Sequence, residues 1–210
     1  MPDAEDVLCP GGADNEEPSL LQRVAQALQG LHPQATMSQI AREAGVSPMV
    51  LYRRYPTKDA LLLALAASFF EGLLHCAQEA RALPAEQQLE HFLRTAGLHL
   101  ATSRSVLPYA FGEMSLPEQR HQIYAAIADL LATAKESGHV HADIALADIG
   151  AIVWGMRGVI ECAGALVPDA WERHLDIALA GLASPRLAFS RPPMDVEQLD
   201  AVISGRRAED

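Results

Sequence analysis

Apolar residues recur along this chain in steps of three and four. Leu20, Leu21, Val24, Leu28 and Leu31 follow that spacing behind Ser19 and predict a first helix capped by the serine. Gly30, His32 and Pro33 end it. Met37, Ile40, Ala41 and Ala44 fall at i, i+3, i+4 and i+7, one apolar face of a short second helix capped by Thr36. Ser38, Gln39, Arg42 and Glu43 lie opposite. Gly45 stands where a helix end needs left-handed backbone, and Val46 follows as an apolar plug. Ser47 and Pro48 make an N-cap and an N1 proline, so a third helix starts at once and carries 49–55 up to Pro56.

Thr57 caps a long fourth helix from Lys58 to about Arg81, apolar around most of its circumference. Such a helix has to be covered by several neighbours. Further helices are predicted at about 85–102, 104–112, 117–136, 142–166 and 169–183, broken at Pro84, Pro108, Pro117, Ser137 with Gly138, Pro168 and Pro185. No strand pattern, internal repeat or low-complexity tract is visible. Residues 184–193 contain Pro185, Pro192 and Pro193 and read as an extended arm. Residues 195–203 add an amphipathic turn or two, with Val196, Leu199 and Ile203 on one side. The expected fold class is all-α.

Composition supports that reading. The chain has 210 residues, room for one domain or a small one joined to a larger one. Half of it is apolar, which excludes wholesale disorder. Aromatic content of 5%, with Val and Ile sparse beside Ala and Leu, favours helices over sheets. Cys9, Cys76 and Cys162 are too few and scattered for a disulfide framework and suit a reducing cytoplasm. No signal peptide is visible, and the apolar run over 60–70 is shorter than the about 20 residues of a membrane span. A cytoplasmic protein without membrane contact is expected.

Charge is distributed unevenly. The net value is −11, which taken whole disfavours a polyanionic partner. Residues 1–18 carry six acids and no base and read as a disordered acidic leader. Residues 19–60 set Arg23, Arg42, Arg53, Arg54 and Lys58 against Glu43 and Asp59, a local balance of +3. A phosphate responds to that local field more than to the global sum.

The basic window coincides with the two short helices around Gly45. The segment 36–58, TMSQIAREAGVSPMVLYRRYPTK, is a helix, a glycine turn and a helix. Ile40, Ala41, Val46 and Leu51 pack the first helix across the second, which can then enter a major groove with its N-terminal residues on base edges. Ser47 with Pro48, and Thr36 with Met37, leave helix-start N–H groups for phosphate oxygens. Arg53 and Arg54 supply charge, and either can reach guanine bidentately. Tyr52 offers a hydroxyl to phosphate, and Lys58 clamps the backbone. An ordinary helical corner would show the same glycine turn without this charge.

The run IAREAGVSPMVLYRRYPTKDALL resembles the signature of TetR-type bacterial transcriptional repressors, matched at Ile40, Ala41, Gly45, Val46, Ser47, Leu51, Tyr52, Tyr55, Lys58 and Leu61. The motif resemblance covers about 20–65; beyond it only helix number, lengths and size are similar. It implies an all-helical homodimer, with a three-helix DNA-binding domain joined through the fourth helix to a ligand-binding domain. It also implies an operator of double-stranded DNA, palindromic for a dimer, and a small-molecule effector that moves the fourth helix and releases the DNA. Many members carry Gly and a small residue at positions 49 and 50. Met49 and Val50 stand here and can meet thymine methyls, which alters base preference. Many also have a basic N-terminal arm, where this chain is acidic.

The expected division is a leader at 1–18, a DNA-binding domain at 19–58, a helical regulatory and dimerisation domain at 59–183, and a C-terminal arm at 184–210. Phe70, Tyr109, Phe111, Tyr124 and Trp154 fall on inner helices, where each is core and together they can wall an apolar pocket. Arg157 and Glu161, spaced i and i+4 beside Trp154, are polar handles for a ligand or an interface pair. Gly150, Gly155 and Gly158 each cost a helix nearly 1 kcal/mol, so a helix of the same chain or of a dimer mate comes close to that backbone. The resemblance favours the dimer mate there, with Trp171 placed on the same surface. His75, Cys76, His91, His99, His139 and His141 lack metal-ligand spacing, so no metal and no cofactor is expected. Enzyme signatures such as a Walker A loop, GxGxxG or GxSxG are missing. A helical binding bundle or a protein-partner adaptor without DNA binding is the alternative.

Overall fold

The computed structural model describes residues 19–32, 34–111, 116–184 and 188–203. The leader at 1–18, Pro33 and Pro185 lie outside that set. Ten helices are present among the described residues, and no strand. The three at the N-terminus are α1 (Leu20–Leu28), α2 (Met37–Glu43) and α3 (Pro48–Arg54). Ser19 and Gln22 exchange side-chain and backbone hydrogen bonds at the start of α1, and Thr36 and Gln39 repeat the device at α2. Leu31 falls beyond α1 but packs on the core from the loop.

The long α4 (Lys58–Arg81) starts at Thr57, whose hydroxyl accepts from the Ala60 N–H at 3.1 Å. By length and composition alone it passes as a membrane span, correcting the shorter stretch expected, yet half of its apolar window is buried inside the bundle. Its buried residues, among them Leu61, Leu65, Phe69, Phe70 and Leu73, point to more than one side. They meet α5 (Ala85–Thr102), α6 (Leu107–Ala110) and α7 (Pro117–Glu136). Then α8 (Leu146–Ala163) packs on α9 (Ala170–Leu182) and on α5.

Three boundaries differ from expectation for local reasons. The helix expected at 104–112 shrinks to α6, because a turn at 103–106 precedes it. The helix expected at 142–166 starts only at Leu146, where the Asp148 carboxylate accepts from the Ala145 N–H at 2.7 Å. Residues 196–203 form a helix of their own, α10 (Val196–Ile203), seated on α8. Leu199 is its buried anchor, whereas Val196, expected on the same side, is exposed.

Candidate nucleic-acid interface and effector cavity

Between α2 and α3 the chain turns on Gly45, whose φ of +64° suits glycine. The Val46 N–H returns to the Ala41 carbonyl at 2.9 Å, closing α2 in the six-to-one pattern. Arg23 on α1 clamps the turn from outside. Its Nε donates to the Ala44 carbonyl at 3.1 Å and its terminal nitrogen to the Gly45 carbonyl at 2.6 Å. In the sequence Arg23 stands out only as one of the bases of the 19–60 window. The one available signal was a lone base on an otherwise uncharged α1.

The third helix is built to be exposed. Leu51 is its one buried residue. Ser47, Pro48, Met49, Val50, Tyr52, Arg53 and Arg54 all lie on the surface, with Met49 79% exposed. Large apolar side chains left in water beside two guanidinium groups describe a surface waiting for a partner. Ser47 makes no capping bond to α3 with its side chain. Lys58 opens α4 four residues past the end of α3 and is partly buried. Two expected residues sit differently. The Met37 side chain is in the core, so only its main chain is left for a phosphate. The Thr36 hydroxyl is engaged with Gln39.

A second site lies deeper. Phe70 and Leu73 of α4, Phe92 and Ala96 of α5, Phe111 just past α6, Ile123, Tyr124 and Ile127 of α7, and Gly150, Val153 and Trp154 of α8 enclose a cavity of about 40 Å³. Arg120 completes the wall and pairs with Asp200 at 2.9 Å. Four expected pocket residues, Phe70, Phe111, Tyr124 and Trp154, do line it. Tyr109, Arg157 and Glu161 do not. The Arg157 guanidinium sits 4.8 Å above the Phe111 ring and pairs with Glu161 at 2.9 Å, bracing that ring from outside. Arg120 was missed, because PEQRHQ reads as the solvated first turn of an amphipathic helix.

Tyr124 carries the buried polar side-chain atom that lacks a hydrogen-bond partner among the described residues, its hydroxyl oxygen. Burial, helped by Asp200 and opposed by Arg120, pushes that phenol up to about 12. It therefore stays protonated and remains a donor. On the far side of α4, His99 of α5 stacks on Phe69 at 4.9 Å and its Nε2 lies 3.0 Å from the Phe69 carbonyl. Burial lowers its pKa from 6.5, against the raising effect of that hydrogen bond. Ser105 donates to the Ala25 carbonyl at 2.9 Å and ties this end of the bundle to α1.

The expected mate-facing residues divide. Trp171 is buried inside the chain, its ring against Gly97 of α5, so it is not a surface residue. Gly150 is covered by Leu199 and Gly155 by His174, both of the same chain. Gly158 alone of the three has open space beside it. No group of three or more His, Cys, Asp or Glu side chains able to hold a metal occurs among the described residues.

Comparison with known proteins follows this division of the molecule. Residues 27–65 match the family described as bacterial regulatory proteins, tetR family. Residues 84–184 match the C-terminal domain described as transcriptional regulator SbtR-like. Curated protein sequences give no match. Among solved structures, the TetR transcriptional regulator SCO0520 from Streptomyces coelicolor is 25% identical, with a TM-score of 0.62 over 79% of this chain and 97% of that one. A TetR transcription regulatory protein from Mycobacterium vanbaalenii is 24% identical, with a TM-score of 0.58 over 79% and 93%. PfmR from Thermus thermophilus, a TetR family transcriptional regulator, shares the fold at 16% identity, with a TM-score of 0.63 over 80% and 100%.

Proposed function

Because the chain belongs to the TetR family of bacterial transcriptional regulators, DNA-binding proteins and not enzymes, we propose that it is a homodimeric cytoplasmic repressor released from its operator by a small molecule. The observation that carries the proposal is that α4 serves both sites. Lys58 at its start follows the end of α3 at Arg54 by four residues, and Phe70 and Leu73 further along line the cavity. Phe70 is roughly 18 Å from Lys58 at 1.5 Å per residue. A ligand that enlarges the cavity pushes on the rod that carries the DNA-binding helices. Its differential affinity for the two positions sets the degree of release.

The recognition surface is assigned to Ser47, Pro48, Met49, Val50, Tyr52, Arg53 and Arg54, with main-chain contacts at Thr36 and Met37 and a phosphate contact from Lys58. Dimerisation is assigned to the outer face of α8 and α9. Ile177 of α9 is 66% exposed and Leu166, in the turn between the two helices, is 88% exposed, while Gly158 and Gly181 have open space beside them. A mate can approach such a face closely. It would place two recognition helices on one side, which calls for a palindromic operator.

Selection of bound sites from a random double-stranded DNA pool tests the reading. The expected result is a palindrome with half-sites about one helical turn apart, or a multiple of it. Truncating Arg53 or Arg54 to Ala costs about 1–3 kcal/mol and relaxes choice at one base, while Lys58→Ala weakens all sequences alike and flattens the salt slope by about one unit. No enriched sequence from folded, ligand-free protein would leave a helical binding bundle that does not bind DNA.

A further inference from the structure

The cavity shows what kind of molecule fits it, given the reading above of that cavity as the effector site. Arg120 is the buried charged residue among those described, 5% exposed, and a guanidinium that deep needs an anion. Asp200 of α10 supplies it, with Nε to Oδ1 at 2.9 Å and a terminal nitrogen to Oδ2 at 3.5 Å. The preceding residue, Leu199, lies against Gly150 so closely that a Cβ there would be 2.8 Å from its Cδ1. Arg120 and Gly150 both belong to the cavity wall. The terminal helix thus brings an apolar side chain and a carboxylate, adjacent in sequence, to the edge of an apolar cavity.

Tyr124 gives the second, independent observation. Its hydroxyl is buried in the same wall, one turn along α7 from Arg120, and has no acceptor among the described residues. An orphaned buried donor costs stability unless a ligand satisfies it. The cavity itself, at about 40 Å³, holds little more than one water. An effector of useful size enters only if something leaves. Leu199 anchors α10 while Val196 and Val202 remain exposed, so α10, which backs the wall at Gly150 and Arg120, is a helix held by little burial.

We propose that α10 is an internal stand-in for the effector, with Leu199 and Asp200 keeping the place of a ligand that has an apolar body and a carboxylate head. Such a ligand takes over Arg120 from Asp200, receives a second hydrogen bond from the Tyr124 hydroxyl, and displaces α10. No bond is made or broken covalently. Ligand selection then rests on a charge exchange: a neutral apolar molecule leaves the Arg120–Asp200 pair in place and has no room.

Titrating the full chain with 4-phenylbutanoate and with 4-phenylbutanol, followed by calorimetry, tests this. The carboxylate is expected to bind more tightly. Asp200→Asn is expected to tighten the carboxylate by about tenfold and leave the alcohol unchanged. Leu199→Ala, which loosens α10 and spares the ion pair, tightens both probes and serves if Asp200→Asn folds poorly. Amide hydrogen exchange over 196–203 is expected to speed up with the carboxylate bound and not with the alcohol, an effect that a purely structural α10 does not give. Equal binding of the two probes, an unshifted Asp200→Asn, no binding at millimolar carboxylate, or an α10 that stays protected would each overturn the assignment. Operator binding measured alongside separates the two proposals. Carboxylate binding that opens α10 without loosening DNA keeps this inference and removes ligand-controlled release; release by the alcohol alone does the reverse.

Discussion

Two short helices, α3 and α10, are each held by one leucine. Leu51 and Leu199 are both fully buried, and the rest of each helix is largely exposed. They differ in where they send their charge. In α3, Arg53 and Arg54 are exposed to solvent. In α10, Asp200 turns inward to a buried guanidinium. An outward charge on a rigid corner is available to an external polyanion. An inward charge on a weakly held helix makes that helix exchangeable for another anion. The same economy of anchoring is completed differently in the two places: Arg23 and the Gly45 turn brace the corner before α3, whereas α10 is tied to the bundle by Leu199 and by the Arg120–Asp200 pair.

Removing the anchors breaks this comparison most severely. Leu51→Ala is expected to cost about 2–5 kcal/mol, seen as a lower melting temperature, and to abolish operator binding. Leu199→Ala is expected to leave operator binding intact, because α10 is seated on α8. If both variants lose DNA equally, the two helices are not independent. A smaller effect follows from the turn. Gly45→Ala places a side chain at φ +64° and within 3.1 Å of the Arg23 guanidinium. About 1–2 kcal/mol of stability should be lost, with weaker operator binding and unchanged binding of cavity ligands.

The smallest effect lies between the two regions. His99 is partly buried against α4, and desolvation lowers its pKa from 6.5, so folding favours its neutral form. Its contribution is fully present above pH 6.5 and is lost as pH falls through the lowered folded value. Denaturant melts of His99→Gln should therefore lack a component of acid sensitivity that the parent shows as pH falls below 6.5. An unchanged pH profile would mean that the imidazole is not held neutral by its burial.

How much of this was legible depends on the range of the interactions. The end of α2 was readable because its glycine, its plug Val46 and the following Ser47 and Pro48 lie within a few residues of one another. The start of α4 was readable from Thr57 for the same reason. The aromatic wall was readable in part, since Phe70, Phe111, Tyr124 and Trp154 are apolar at helical spacing. Which neighbours they meet was not. Arg157 and Glu161 look like ligand handles in sequence and turn out to brace Phe111 from outside. Trp171 looked like interface and fills the space beside Gly97. Arg120 carries no local mark of burial in the sequence and is core.

By itself, the amino-acid sequence determined an all-helical chain, the positions of most helices, the glycine corner and a basic face on α3. Those follow from backbone capping, φ preferences and 3.6-residue periodicity, which act over a turn or two. Only the tertiary structure decided the rest. Arg23 reaches the turn from 21 and 22 residues away, and Arg120 meets Asp200 across 80. Pairings at that range leave no periodic trace, because they depend on how whole helices pack and not on what neighbours them in the chain. The recognition corner is a local object and could be read. The cavity, its charge and the helix seated behind its wall exist only where distant segments meet.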